Sequence, residues 1–466
     1  MAELQAIITT GTDIVLGESI VEELRESLRG ALLLPGGNEY NEARALWNAS
    51  FDKRPALIVR SAGVADIISS VNFARTHSLP VAVRCGGHNV AGNGACDGGL
   101  MLDLSRLKSV RVDPVNRTAR AEPGLIWGEF DRETQAFGLA TTGGICSATG
   151  IAGVTLGGGF GWLMRKHGLA LDNLVSVDIV SADGQLRTAS ATENADLFFG
   201  VRGTHSNFGV VTSLEYRLHP VGPTVLAGMV VHPLEKGREV LRFYREYTGQ
   251  APDELSAWAA LLTSPDGHPL VAILACYLGP GEQGEKALRP LKEFGPPMMD
   301  MIQPMPYVKA QSLIDESFPK GRYNYWKSNL LSELSDGTID ALVEGFAAVA
   351  SPYSSVLIEQ LGGAMSRVGK DETAFNHRDA PYDLVIMPMW SDSVESDQHI
   401  RWADELWRAV QPSSAGGVYV NYLGNEGEER VKAAYGTNYE RLVALKHKYD
   451  PTNLFRFNQN IRPNVP

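Results

Sequence analysis

Two strings in this 466-residue chain carry side chains able to do chemistry. One reads Arg84-Cys-Gly86-Gly87-His88-Asn89-Val90-Ala-Gly92-Asn-Gly94. The other runs from Gly143-Gly-Ile-Cys146 through Gly150 and Gly153 to Gly157-Gly158-Gly-Phe160-Gly161. Residues 86–99 and 143–161 together hold 14 of the 48 glycines, a concentration that asks for a physical reason. Glycine lets backbone approach a ligand closely, and consecutive N–H groups in a tight turn form a concavity that binds anions. The first loop, placed after a buried strand, suits a pyrophosphate. The second has few charges and suits something flat or extended. Two such loops together favour a large cofactor with a phosphate part and a planar part. Each carries one candidate nucleophile, the imidazole of His88 and the thiol of Cys146.

Other chemistries are absent from the sequence. GxxxxGK[ST], HExxH and GxSxG do not occur, and no CxxC pair suggests zinc, so no metal site is expected. Gly279-Pro-Gly-Glu-Gln-Gly284 matches GxGxxG but reads as a surface strand-to-helix turn, because Glu282 and Glu285 would face a pyrophosphate and Pro280 removes a donor. With 42 Lys+Arg against 54 Asp+Glu the net charge is −12, which argues against nucleic acid and against a basic membrane dock. The Met1–Gln5 start has no basic region and no apolar run reaches membrane-spanning length. The expectation is therefore a soluble, cytoplasmic protein with a small-molecule substrate. Sequons at Asn48 and Asn116 carry little weight without an export signal, and Cys276 reads as a buried apolar side chain.

The elements that must position these loops follow from periodicity. Residues 55–84 predict strand, helix, strand: Ala56–Val59, Ala65–His77 and Pro80–Arg84. A helix over Trp127–Phe137 precedes the second loop, and a hairpin turning at Asp183-Gly184 follows it. Beyond Pro220–Pro223 the texture changes. Amphipathic helices (Leu234–Tyr247, Gly284–Phe294, Thr338–Ala350, His399–Val410) alternate with strands at Val225–Val231, Leu270–Leu278, Ser355–Leu361, Tyr382–Trp390 and Gly417–Tyr422. That mixture predicts an α+β fold with one sheet backed by helices.

Taken in order, the two glycine strings, Lys166-His-Gly-Leu-Ala-Leu-Asp-Asn173, Asn207-Phe-Gly209-Val210-Val-Thr212, Tyr419-Val-Asn-Tyr422 and Phe457-Asn458-Gln-Asn460-Ile461 resemble the berberine bridge enzyme-like branch of the vanillyl-alcohol-oxidase flavoproteins. The resemblance covers nearly the whole chain. It implies a PCMH-type FAD-binding domain over 1–222, a substrate domain over 223–415 with an antiparallel sheet backed by helices, and a segment 416–466 that returns to the FAD domain. It also implies FAD bound bicovalently, through the flavin 8α-methyl to His88 and through C6 to Cys146. Arg84, Gly86, Gly87, Asn89, Val90 and Gly92 would bind the cofactor, with Gly143, Gly150, Gly153, Gly157, Gly158 and Gly161. Asn207, Gly209 and Val210 would join them, and Asn458 and Asn460 would supply polar partners from the tail.

The activity implied is oxidation of an alcohol, either a sugar hemiacetal or a secondary-metabolite hydroxyl. It proceeds by proton abstraction and hydride transfer to flavin N5, with O2 as acceptor. A dehydrogenase passing electrons elsewhere, or a cyclase without redox turnover, are the alternatives. A phenol with an ordinary pKa of about 10 must be tuned to act as base. The resemblance places that role at Tyr419-Val-Asn-Tyr422. In a strand only one tyrosine faces the flavin, and Tyr422 is favoured over Tyr419. Gln360, beside Glu359 on a predicted strand, is the third catalytic candidate. Tyr323 and Tyr325 beside Trp326 could wall a sugar or an aromatic ring. Departures are informative: Val90 and Phe160 stand where plant members have tyrosines, Thr155 falls where the family tunes oxygen access, and His205 interrupts a glycine run.

Overall fold

The structure, a computed structural model, describes residues 4–464; Met1 to Glu3 and the final two residues lie outside it. Three short apolar strands, Leu57–Arg60, Leu100–Asp103 and Val81–Arg84, pair in parallel in that spatial order, with Ala31–Leu33 antiparallel on the outer edge. The helix Val64–Thr76 makes the crossover. Strands buried on both faces read as unbroken apolar runs, as Leu-Ile-Val and Leu-Met-Leu do here. The first glycine loop leaves the end of Val81–Arg84, where the fully buried Asp103 accepts from Arg84 Nη1 at 3.1 Å and from Arg60 Nε at 3.1 Å. That shared carboxylate fixes Arg84 at the mouth of the loop.

A second, antiparallel sheet runs in the order Leu186–Ser190, Leu174–Ser181, Gly209–Arg217, Thr118–Ala121, Val110–Asp113. The second glycine loop and its short helix Ile151–Gly157 lie between these strands in sequence. A third and largest sheet has Met299–Asp300 and Gln303–Pro306 on the outer side of Thr224–Pro233 and continues through Pro269–Tyr277, Leu255–Thr263, Ser355–Gln360, Tyr382–Met387 and Lys327–Leu331, all antiparallel. Its pleat sorts two cores. Ala257, Ala259, Ile273, Ile358, Leu384 and Ile386 pack under the helices Gly237–Thr248, Asp336–Ala347 and Ser396–Ala409. Trp258, Leu274, Cys276, Leu357, Val385 and Met387 face the other way, into the core shared with the glycine-loop half. Trp162 stacks on Trp258 at 4.4 Å across that join. Arg165 caps three carbonyls of the large-sheet half, those of Leu255, Ala251 and Leu361.

Two predicted strands differ. Tyr382–Trp390 breaks into Tyr382–Met387 and Met389–Trp390, because Pro388 has no N–H for the ladder. Gly417–Tyr422 is not a strand. The chain runs beside the sheet edge from Ser413 to Gly417, where Ser332 N donates to Ser413 O at 2.9 Å, Ala415 N to Leu330 O at 2.7 Å and Leu330 N to Gly417 O at 3.2 Å, and then turns, with Tyr422 N donating to Tyr419 O at 3.0 Å. Beyond Gly417 no backbone hydrogen bond ties 418–422 to a strand among the described residues, and the segment curls instead of extending. Among the described residues no helix is long and apolar enough to cross a membrane.

Candidate active site

The two glycine loops touch. A Cβ on Gly86 would lie 2.6 Å from Gly150 N, and one on Gly150 would lie 2.8 Å from Gly86 N, so two backbones meet where no side chain fits. Gly87 holds φ at +73°, a conformation L-residues rarely adopt. The amides of Gly86, Gly87, His88 and Asn89 donate to no backbone or side-chain group of the described residues. Converging unpaired N–H groups are what an anionic group needs. Gly86→Ala is expected to destabilise the fold by about 1–3 kcal/mol. It should also strip flavin from the purified protein, read as a lower ratio of visible to 280 nm absorbance; full flavin content would contradict the packing described.

His88 stacks on Trp47 at 5.1 Å and 18°. Burial, helped by Lys320, lowers its pKa to about 4, so the ring is neutral at pH 7 and a nitrogen lone pair is free. Cys146 sits beside Asp315, whose carboxylate accepts from Ser147 N at 2.7 Å and Ser147 Oγ at 2.5 Å. Burial and that negative charge push the Cys146 thiol well above its ordinary value, so it rests protonated.

A cleft of about 1500 Å³, counting its open mouth, runs between the loops, the turn at Tyr419–Tyr422 and the large sheet. Arg84, Gly86, Gly87, His88, Asn89, Cys146, Gly150, Gly153, Gly209, Tyr419, Tyr422 and Asn458 all line it. Arg84 Nε, Asn93 Nδ2 and Asn458 Oδ1 are buried without a partner on residues of this lining. Orphaned buried polar atoms are costly, about 1–3 kcal/mol each. These orphans, the bare amides and the apolar walls of Val83, Ile145, Val154 and Val211 fit the phosphate and ring portions of an FAD.

The turn at 419–422 brings both tyrosines to the cleft, ring centroids 4.9 Å apart and nearly perpendicular. Their hydroxyls do different things. Tyr419 Oη accepts from Gly159 N at 2.7 Å, Phe160 N at 3.4 Å and Asn421 Nδ2 at 2.6 Å, and its ring stacks on Phe160 at 3.9 Å. It is committed to holding the glycine run. Tyr422 Oη instead donates to Glu359 Oε1 at 3.0 Å. Glu359 pairs across the sheet with Asp383, which accepts from Ser328 Oγ at 3.1 Å. Both carboxyls are fully buried, and burial raises both pKa values, Glu359 further still through the charge of Asp383. Gln360 is a correction: the pleat turns it to the helix side, where Oε1 accepts from Ala257 N and Nε2 donates to Thr248 O. Glu359, one residue earlier, is the side chain on the cavity face.

Several predicted cofactor residues lie behind the lining. Val90 is buried with its carbonyl taken by Asn48, and Gly92 packs under the Phe51 ring. A Cβ on Gly143 would strike Trp127, and one on Gly161 would strike Gly143 O. Gly158 makes room for Tyr419, and Gly157 for the bond between His205 Nε2 and Asn421 Oδ1, 2.6 Å. Asn207 grips the tail through Gln459 O and Ile461 N, while Val210 is core. Asn460 Oδ1 is buried and unpaired but outside the lining. Thr155 also points away, bonded to Tyr216 Oη at 2.8 Å; its neighbours Val154 and Leu156 line the cleft with His205. Of the aromatic trio only Trp326 lines it, since Tyr323 stacks on Trp390 and Tyr325 bonds Asp404. Sequence reasoning missed Trp47, Cys85, Phe318, Leu357 and Met387 in the lining, and Asp315 and Asp383 behind it. Only strand alternation from Glu359 could have flagged any of them.

Comparison with known proteins closes the question of kinship. Residues 55–190 match the family described as an FAD binding domain, and 418–462 the family described as berberine and berberine like. An FAD-linked oxidoreductase of Dictyostelium discoideum is 33% identical over 449 residues, 95% of this chain and 97% of that one. A carbohydrate oxidase of Microdochium nivale is 29% identical over 98% of each chain. The crystal structure of 6-hydroxy-D-nicotine oxidase from Arthrobacter nicotinovorans is similar at a TM-score of 0.87 and 29% identity, covering 94% of this chain and 99% of that one. With that identity over nearly its full length, a matching fold and a cleft shaped for the cofactor, this chain belongs to the berberine bridge enzyme-like family of FAD-linked oxidoreductases.

Proposed function

We propose that the chain is an alcohol oxidase that holds FAD covalently through both His88 and Cys146, with 1–222 and 416–466 forming the cofactor half and 223–415 covering it. The observation that carries the catalytic part is the Tyr422–Glu359 hydrogen bond, 3.0 Å, reached from the same cleft that His88 and Cys146 line. Bound FAD supplies the two-electron acceptor. The protein's task is to orient the alcohol and remove its hydroxyl proton. Tyr422 Oη takes that proton while passing its own to Glu359. Neutral His88 and the Cys146 sulfur supply the two attachment atoms, and Asp315 is placed to receive the thiol proton. Dioxygen is the final acceptor in this reading, supported by the oxidase names of the relatives.

Acid precipitation tests the attachment. The wild-type pellet should stay yellow. His88→Ala and Cys146→Ala singly should each keep colour in the pellet, and the double variant should release all of it. Yellow supernatant from the wild type would sink covalent binding. Loss of visible absorbance on anaerobic addition of an alcohol, restored by air, tests the oxidase chemistry.

A further inference from the structure

We propose that His205 is a positioning residue for the reaction: through Asn421 it fixes the turn that carries Tyr422 to Glu359. The effect on turnover rests on the reading of Tyr422 above; the clamp itself does not. Among the described residues, five that are not glycine hold a left-handed φ, and only His205, at +57°, lines the cleft. Glycine would sit there without strain and asparagine with little. A histidine held in that conformation beside a cleft points to a use for its side chain. The imidazole Nε2 meets Asn421 Oδ1 at 2.6 Å. The other end of the amide decides which atom donates. Asn421 Nδ2 lies 3.1 Å from Val154 O, which can only accept, and 2.6 Å from Tyr419 Oη. Oδ1 therefore faces His205, and Nε2 carries the proton. Burial lowers the pKa of the ring, so it is neutral at pH 7. Gly157 leaves the room for this bond, since a Cβ there would overlap both Asn421 Oδ1 and His205 Nε2.

The turn needs such a tie. Among the described residues, the only backbone-to-backbone hydrogen bond of 418–422 is Tyr422 N to Tyr419 O. Side chains must hold the rest. The Asn421 amide joins three pieces at once: the helix Ile151–Gly157 through Val154 O, the Tyr419 hydroxyl, and the loop after Val201 through His205. His205 is itself rooted on that helix. Its own N and that of Gly203 both donate to Leu156 O, at 3.0 and 2.9 Å. Without the imidazole, Asn421 Oδ1 loses its donor and the amide is free to turn. Tyr422 is the next residue, so its 3.0 Å bond to Glu359 depends on where that backbone lies. A misplacement of about 1 Å at a reacting group can cost on the order of 100-fold in rate.

The test compares His205→Gly, His205→Asn and His205→Gln as purified holoproteins. It reads hydrogen–deuterium exchange, and anaerobic flavin bleaching by D-glucose and by 4-hydroxybenzyl alcohol. Glycine and asparagine suit the backbone, yet neither reaches Asn421. Both variants should keep a urea midpoint close to wild type, because released strain offsets the lost bond. Both should exchange the Tyr422 amide about tenfold faster. Both should bleach about 10- to 100-fold more slowly. Glutamine can carry an amide N–H to the place of Nε2, so His205→Gln should stay within about threefold of wild type on both readouts. Wild-type exchange in His205→Gly would overturn the inference. So would a His205→Gln protein as impaired as His205→Gly, or a midpoint that falls in step with the faster exchange. Faster exchange with unchanged bleaching would leave a clamp with no part in turnover, and overturns it too. The two readings separate cleanly. If neither probe bleaches the wild type, that result counts against the alcohol reading, and exchange at the Tyr422 amide still decides the clamp.

Discussion

Tyr422→Phe is expected to lower kcat/KM by about 10²–10⁴-fold while leaving flavin content and fold intact, the range removed with a positioned acid–base group. The ring packs edge-on against Trp326 at 5.5 Å and Tyr419 at 4.9 Å, and phenylalanine preserves both contacts. Only the hydroxyl at Glu359 is lost. Tyr419→Phe is the control. Its hydroxyl accepts three donors from the glycine run and Asn421, so its loss should cost stability of about 1–3 kcal/mol and cofactor packing before chemistry. A Tyr422→Phe enzyme within tenfold of wild type would remove Tyr422 from the mechanism.

The pH profile follows from the same group. Burial raises the Tyr422 phenol well above its ordinary value, so it cannot act alone as a base; it must hand its proton on. Glu359 receives it only when ionised. Burial and the Asp383 charge raise the Glu359 pKa, so kcat/KM should climb with pH through a limb lying above the ordinary carboxylate range. Asp383→Asn removes a negative charge that raises Glu359, so the limb must move to lower pH. A limb that stays put or moves up would show that the pair is not what titrates.

Much of this was legible in the chain, for a physical reason. Glycine that must face another backbone, as Gly86 faces Gly150, tolerates no substitute, so its role is written as residue type. His88 and Cys146 stand inside those loops, and both line the cleft. The apolar wall was not. Phe318, Trp326, Leu357 and Met387 come from separate elements and converge only after the large sheet has folded. A lone tryptophan in sequence reads equally as core. The same holds for the turn at 419–422. Its residues read as a strand would, and the end of backbone pairing at Gly417 lets both tyrosines reach the cleft. Gln360 and Glu359 show the limit most sharply: a shift of one residue along a strand exchanges a cavity side chain for a buried backbone partner.

Lys446→Met is expected to destabilise the protein by about 3–5 kcal/mol, the range for breaking a buried ion pair from one side. Lys446 and Asp450 are both wholly buried, 2.8 Å apart on the helix Tyr439–Tyr449 and the residue that follows it. The ammonium also donates to Asn207 O at 2.7 Å and Phe455 O at 2.8 Å. Asp450 in turn accepts from Leu454 N at 2.8 Å and Phe455 N at 2.9 Å. The pair therefore joins three pieces: the helix, the Asn207 loop and the returning tail. Lys448, two residues on, bonds Asp196 at the surface with a side chain 59% exposed, and Lys448→Met should cost no more than about 1 kcal/mol. Lys446→Met paired with Asp450→Leu removes the stranded carboxylate and should recover part of the loss, but not all, because the amides of Leu454 and Phe455 lose their acceptor. Since Phe457 and Asn458 line the cleft, flavin content should fall with stability in Lys446→Met and stay whole in Lys448→Met. Urea midpoints and visible absorbance measure both. Equal midpoints for the two variants would mean that the tail is held by its other contacts, Gln459 Nε2 to Leu423 O among them, and that the buried pair is not its anchor.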